Sequence, residues 1–91
     1  MKLETAILYF LAARYPASFD AETVRMRVNR SGAIDGEASA EDVRKALALL
    51  AKRFGYVELV TDEDGSQYWS ASTKGVSKWT IDGRPCVGGS L

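Results

Sequence analysis

The sequence predicts an α+β domain in which three helices precede a two-stranded β-hairpin. Apolar residues recur at helical spacing in three segments before residue 55, and two short segments after it alternate apolar and polar residues. A polar, glycine-containing turn over residues 62–66 separates the two alternating segments. A chain of 91 residues, 46% of them apolar, can form one small core without disulfides or metals. We therefore expect a single domain over residues 1–79.

The first predicted helix covers residues 3–15. Leu3, Ile7, Phe10 and Leu11 lie at helical spacing, which predicts a largely buried helix. Pro16 ends it, because the proline ring moves the preceding residue out of the helical region.

The second predicted helix begins after Asp20, which suits the N-cap position. Val24 and Val28 then face the core, one helical turn apart. The flanks and outer face carry three basic residues: Arg25, Arg27 and Arg30. Residues 31–38 contain two glycines and no helical period, so we expect a loop in which Ile34 packs against the core. This loop is longer than the turn of about 3–4 residues in a compact helix-turn-helix.

The third predicted helix has the clearest pattern. Ser39 suits the N-cap, and Asp42 stands at the capping-box position. One stripe is predicted to be core: Val43, Leu47, Leu50 and Phe54. The opposite face and its shoulders collect Glu41, Asp42, Arg44, Lys45, Ala48, Leu49, Lys52 and Arg53. Gly55 ends the helix, since glycine readily adopts the left-handed conformation.

The alternation over residues 56–61 and 67–72 predicts the two strands of the hairpin. Residues 73–79 are predicted to form a short final turn of helix that brings Val76 and Trp79 onto the first helix. Residues 80–91 are rich in glycine and poor in large apolar groups, which predicts a flexible C-terminal tail that includes Cys86.

The formal net charge is zero, from 12 basic and 12 acidic residues, but the charges are unevenly distributed. Residues 25–53 carry seven basic and four acidic groups, a net charge of +3. The flanking segments, residues 1–24 and 54–91, carry −1 and −2. The positive excess thus falls on the second and third predicted helices.

Composition disfavours catalysis and metal binding. The chain has no histidine, the commonest general base and zinc ligand, and its single cysteine cannot build a zinc cluster. The glycine-rich phosphate loops and the nucleophile elbow are missing as well. We predict that the protein is not an enzyme and uses no cofactor. The lone cysteine favours a reducing cytoplasm, and the lack of a long apolar run predicts no membrane association.

The order of three helices and a hairpin resembles the winged helix-turn-helix superfamily, in its prokaryotic DNA-binding regulator form. Two segments add to the resemblance: residues 54–59, Phe-Gly-Tyr-Val-Glu-Leu, and residues 68–75, which leave the second strand through Thr73-Lys74-Gly75. The resemblance implies that the third helix enters the major groove of double-stranded DNA and that the hairpin is the wing. It also implies a transcriptional or phage- or plasmid-type regulator, in which a homodimer would raise specificity.

Transferred to this sequence, the resemblance implies a set of DNA contacts. Arg44 and Lys45 would contact bases or phosphates, Lys52 a phosphate, and Ser39 a phosphate at the helix N-terminus. Flanking phosphates would be neutralised by Arg25, Arg27 and Arg30. The hairpin departs from the pattern, because Asp62, Glu63 and Asp64 would repel phosphates.

Two other interpretations stay open at this point. Arg44 and Lys45 could equally be solvated, or paired with Glu41 and nearby acids one turn away. The domain could also be a winged-helix protein-protein interaction module. Its partner would then contact the outward Ala48 and Leu49 and the acidic turn Asp62, Glu63 and Asp64.

Overall fold

The computed structural model of the chain describes residues 1–81, and it confirms the α+β class. Three helices come first: α1 (Leu3–Ala13), α2 (Ala21–Ser31) and α3 (Ala40–Leu49), the last continued by a π-helical turn (Leu50–Phe54). The hairpin strands β1 (Val57–Thr61) and β2 (Gln67–Ala71) follow. The expected final turn is a full fourth helix, α4 (Thr73–Ile81). Its last two residues belong to the segment predicted as a tail, and residues 82–91, with Cys86, lie outside the described part of the chain.

The core lies between the helices, with α1 at its centre. Ile7 and Leu11 of α1 are fully buried against Val24, Val43 and Leu47 from the next two helices. Burying side chains of this size supplies most of the favourable free energy of folding, at about 1.5–3 kcal/mol each. The three predicted helical stripes therefore meet in one core.

Helix α4 closes this core from the C-terminal side. As predicted, Trp79 is buried and packs on the first helix, with its ring 4.7 Å from that of Tyr9 and tilted by 32°. Ile34 of the long loop is partly buried against the core, which also confirms its predicted role.

The hairpin is antiparallel and pairs Val57 with Ala71 at its base and Thr61 with Gln67 near its tip. Only the base is buried, so most of β1 is exposed. Phe19, in the α1–α2 connection, forms an isolated bridge with Trp69 of β2 through two backbone hydrogen bonds of 2.8 and 2.7 Å. This bridge attaches the hairpin to the first half of the chain.

The end of the third helix differs from the predicted stripe. Phe54 is 37% exposed, so its assignment to the core was wrong. The cause is the π-helical turn, in which the Gly55 and Tyr56 amides both donate to the Leu50 carbonyl. A π turn holds more residues than an α turn, so Phe54 is displaced from the line of Val43 and Leu47. Its ring stacks instead on Tyr56, at 5.2 Å between centroids and 10° between planes.

The junction between the hairpin and α4 is tightly built around Ser72 and Gly75. The buried Ser72 hydroxyl donates to the Gly55 carbonyl (2.6 Å) and accepts from the Gly75 amide (3.0 Å), while the Ser72 amide donates to the Tyr56 carbonyl (2.9 Å). Gly75 is a glycine for steric reasons, since a Cβ atom there would lie 2.0 Å from the Tyr56 carbonyl oxygen. The start of α4 is thereby fixed against the end of α3.

Candidate nucleic-acid interface

The first turn of α3 is capped reciprocally by its own side chains. The Asp42 amide donates to the Ser39 hydroxyl (3.1 Å), and the Ser39 amide donates to the Asp42 carboxylate (3.3 Å). The first bond confirms Ser39 as the predicted N-cap, and the second completes a capping box with aspartate, at a position where glutamate or glutamine is preferred. The Ser39 hydroxyl is therefore part of the cap, and a phosphate at this helix end would have to share it.

Asn29 of α2 sets the position of this helix start, and the sequence interpretation missed it. Its side-chain amide donates to the Ala38 carbonyl (3.1 Å), and its side-chain oxygen accepts from the Ala38 amide (2.8 Å). Ala38 is buried and directly precedes the Ser39 cap. The available signal was an asparagine inside a helix, where that residue is disfavoured unless its side chain has a specific partner.

Two of the predicted contact residues, Arg44 and Lys45, are exposed on the outward face of α3. Lys52 is also exposed, but it lies in the π-helical turn that follows α3. Lys45 lies 3.4 Å from Glu41, one turn earlier, and both side chains are 74% exposed. An ion pair this exposed is weak, so Lys45 can exchange it for a phosphate at little cost. Pairing with Glu41 was one of the alternatives left open for Lys45, and the structure shows it.

Arg25 is paired on the surface of α2. Its guanidinium forms a hydrogen-bonded ion pair with Glu22, which lowers the pKa of that carboxyl, and Arg44 adds a smaller effect in the same direction. The same pairing raises the pKa of Arg25. Arg25 and Arg44 are thus close enough to act on one carboxylate, although Glu22 offsets part of their charge.

Arg27 and Arg30 lie elsewhere on α2. Both line a groove of about 340 Å³ between α1 and α2, which they share with Arg14. Arg30 also lines a shallow depression with Arg25 on the outer face. The predicted set of seven DNA contacts is therefore divided: Arg25 accompanies the α3 residues, and Arg27 faces the α1 side.

The acidic turn is exposed and held in shape by its own carboxylates. One Asp62 carboxylate oxygen accepts from the Asp64 and Ser66 amides, each at 3.1 Å, and Asp64 accepts from the Ser66 amide at 2.9 Å. Hydrogen bonding with the Asp62 carboxyl, followed by that with Ser66, lowers the pKa of Asp64 to about 2. The turn therefore stays negative at neutral pH.

The surface proposed for a protein contact is only partly apolar. Ala48 is half-buried and Leu49 is 37% exposed on α3. Leu59 and Val60, on the hairpin, are more exposed than either of them.

Across the described residues no group of three or more metal-binding side chains converges. None of the helices in the same part of the chain is long and apolar enough to cross a membrane. Comparisons with protein-family models, with curated proteins and with solved structures find no match to this chain. Function must therefore be argued from the geometry.

Proposed function

We propose that the protein is a small winged-helix domain that binds double-stranded DNA by placing α3 in the major groove, and that it acts as a transcriptional or phage- or plasmid-type regulator. The observation that carries the proposal is the outward face of α3. This face presents Arg44 and Lys45 to solvent, while Val43 and Leu47 anchor the opposite face in the core. Lys52 is exposed in the π-helical turn that continues the helix. A rigidly anchored helix with exposed basic side chains is suited to reading a groove.

Two further features support this reading. The two hydrogen bonds between the Asn29 side chain and the Ala38 backbone fix the start of α3 relative to α2. Two helices must be held in a fixed relation if they are to meet DNA in one orientation. Arg25 of α2 lies on the Arg44 side, where it would contact a phosphate flanking the groove.

The hairpin would contribute differently from a basic wing. Its tip carries Asp62, Glu63 and Asp64, and repulsion from phosphates would hold it clear of the DNA backbone. We infer that affinity comes mainly from α3 and Arg25.

The test is fluorescence anisotropy with a labelled random-sequence duplex, titrated over a series of salt concentrations. Arg44→Ala combined with Lys45→Ala should weaken binding and reduce the salt slope by about two, roughly one for each lost phosphate contact. The control is Lys2→Ala with Arg14→Ala, which removes the same charge from the two ends of α1 and should leave the slope nearly unchanged. Equal loss in both double variants would show that net charge alone governs binding and would contradict the assignment to α3.

The second candidate is a winged-helix protein-protein interaction module. It is favoured by the ion pairs that occupy Arg25 and Lys45 and by the exposed acidic turn. In this case the wild-type chain would show no duplex binding at low salt. A folded Leu49→Asp variant would instead lose a captured protein partner that an Ala13→Asp variant retains.

A further inference from the structure

The groove between α1 and α2 concentrates positive charge on an apolar floor. Its rim carries Arg14, Arg27 and Arg30, and the apolar lining includes Ala6, Tyr9, Phe10 and Val28. Among residues 1–81 no carboxylate lines it, and no ion pair joins these three arginines to an acid. The described walls of the groove are thus cationic and supply no anion.

One of the three guanidinium groups is already held in place. Arg14 donates to the Phe10 carbonyl (3.1 Å), and its guanidinium lies 4.2 Å from the centre of the Phe10 ring. Since the side chain is already ordered, binding an anion there costs less conformational entropy than ordering a free arginine.

The complementary feature is the hairpin of the same chain. Its tip carries three exposed carboxylates in a turn that their own hydrogen bonds shape. Directly behind the tip, Leu59 and Val60 are 44% and 45% exposed. The groove has the matching arrangement with the opposite charge. Its arginines lie beside the exposed ring of Tyr9, which is 42% exposed.

We propose that the groove formed by Arg14, Arg27 and Arg30 receives the acidic hairpin tip of a second copy of the chain. The carboxylates of Glu63 and Asp64 would pair with the arginines, and Leu59 or Val60 would cover the exposed part of Tyr9. Charge complementarity selects this occupant, because the chain is neutral overall and its acidic surface is the hairpin tip. Of its two basic surfaces, the groove includes no carboxylate among residues 1–81, whereas Glu41 lies beside Lys45 on α3. The inference does not depend on DNA binding, because neither α3 nor its outward face takes part.

The experiment is sedimentation velocity on the full chain over a concentration series, without DNA. The wild type should self-associate at an ionic strength of about 0.01 M and do so less at about 0.1 M, as the Debye length falls from about 30 Å to about 10 Å. Arg27→Glu with Arg30→Glu changes the groove and leaves the ordered Arg14 intact. Glu63→Lys with Asp64→Asn changes the tip and keeps an oxygen at residue 64 to accept from Ser66. Each variant should raise the dissociation constant roughly tenfold or more, because attraction is replaced by repulsion or removed.

Mixing the two variants gives the sharpest readout. The groove variant keeps a native tip, and the tip variant keeps a native groove, so the mixture should form a pair although neither protein associates alone. The control, Arg44→Glu with Lys45→Glu, reverses the same charge on α3 and should self-associate like the wild type. Far-UV circular dichroism checks that every variant is folded.

Three results would overturn the proposal: a wild type that stays monomeric at both ionic strengths, variants that associate as the wild type does, or a mixture that stays monomeric. A monomeric wild type that binds a polyglutamate peptide through Arg27 and Arg30 would assign the groove to another acidic partner. That result would equally reject the second copy. Loss of duplex binding with intact self-association would reject only the proposed function.

Discussion

Replacing Gly75 by alanine should destabilise the protein, although alanine is the better helix former. Gly75 lies in the first turn of α4, where the helix packs against the backbone of Tyr56. An added Cβ atom would meet the Tyr56 carbonyl oxygen at 2.0 Å, the Tyr56 carbonyl carbon at 2.9 Å and a Leu8 methyl group at 3.2 Å. The nearest two atoms are backbone, so a change of side-chain rotamer cannot relieve the contact.

The structure sets the size of the effect. An ordinary carbon contact begins near 3.4 Å, so α4 and the Tyr56 carbonyl would have to separate by about 1.4 Å (3.4 − 2.0). That shift would stretch two hydrogen bonds to the same segment, from the Ser72 amide to Tyr56 and from the Ser72 hydroxyl to Gly55. Overpacking costs about 1–3 kcal/mol and each hydrogen bond contributes about 1 kcal/mol. Alanine is more favourable than glycine in a helix by roughly 1 kcal/mol, which offsets part of this cost. The net loss of stability is therefore about 2–4 kcal/mol.

Urea unfolding of the full chain, followed by far-UV circular dichroism, measures this free energy. Ser77→Ala is the matched control, because it alters an exposed residue of the same helix with no such contact. Helix propensity alone predicts that Gly75→Ala gains stability, whereas the steric argument predicts a loss. A variant as stable as the wild type, or more stable, would refute the close approach of α4 to Tyr56.

Two further predictions concern the polar contacts that set helix starts. Asn29→Ala should lower the free energy of unfolding by about 1–3 kcal/mol, because the buried Ala38 amide and carbonyl both lose a partner. A loss below about 0.5 kcal/mol for Asn29→Ala in the same urea titration would contradict the role of these two hydrogen bonds. Asp20→Ala should cost about 1 kcal/mol at neutral pH, since Asp20 caps α2. The hydrogen bond from the Thr23 hydroxyl is the main cause that lowers the pKa of Asp20 below its ordinary 3.8, so this stabilisation is complete above pH 3.8. The stabilisation is lost as the pH falls through the folded-state pKa of Asp20. Urea titrations from pH 6 down to acid pH measure the difference in the free energy of unfolding between the wild type and Asp20→Ala. A difference that stays constant over this range would contradict the role of Asp20 as the ionised cap.

Local features of the fold could be predicted from the sequence because their causes are local. Ser39 with Asp42 marked the start of α3, and Asp20 marked the start of α2, since a cap involves residues only three positions apart. The alternation after Gly55 located both strands for the same reason.

The remaining features depend on which element packs against which. Phe54 fitted the core stripe at 100° per residue, and only the π-helical turn, tied to the junction with the hairpin, moves it out. Arg25 and Arg27 carry the same charge two positions apart in the sequence, but Arg25 pairs with Glu22 and Arg27 lines the groove between α1 and α2. Asn29 and Phe19 act through partners at positions 38 and 69, which no local pattern reveals.

The bridge between Phe19 and Trp69 also has a consequence for how the chain unfolds. It joins residues 50 positions apart (69 − 19) and therefore closes a loop that contains α2, α3 and most of the hairpin. Closing this loop costs chain entropy once. Every contact within the closed loop then forms at a lower entropic cost. The bridge therefore ties the hairpin to the same closed loop as α2 and α3, so breaking it removes the entropic advantage of the whole loop.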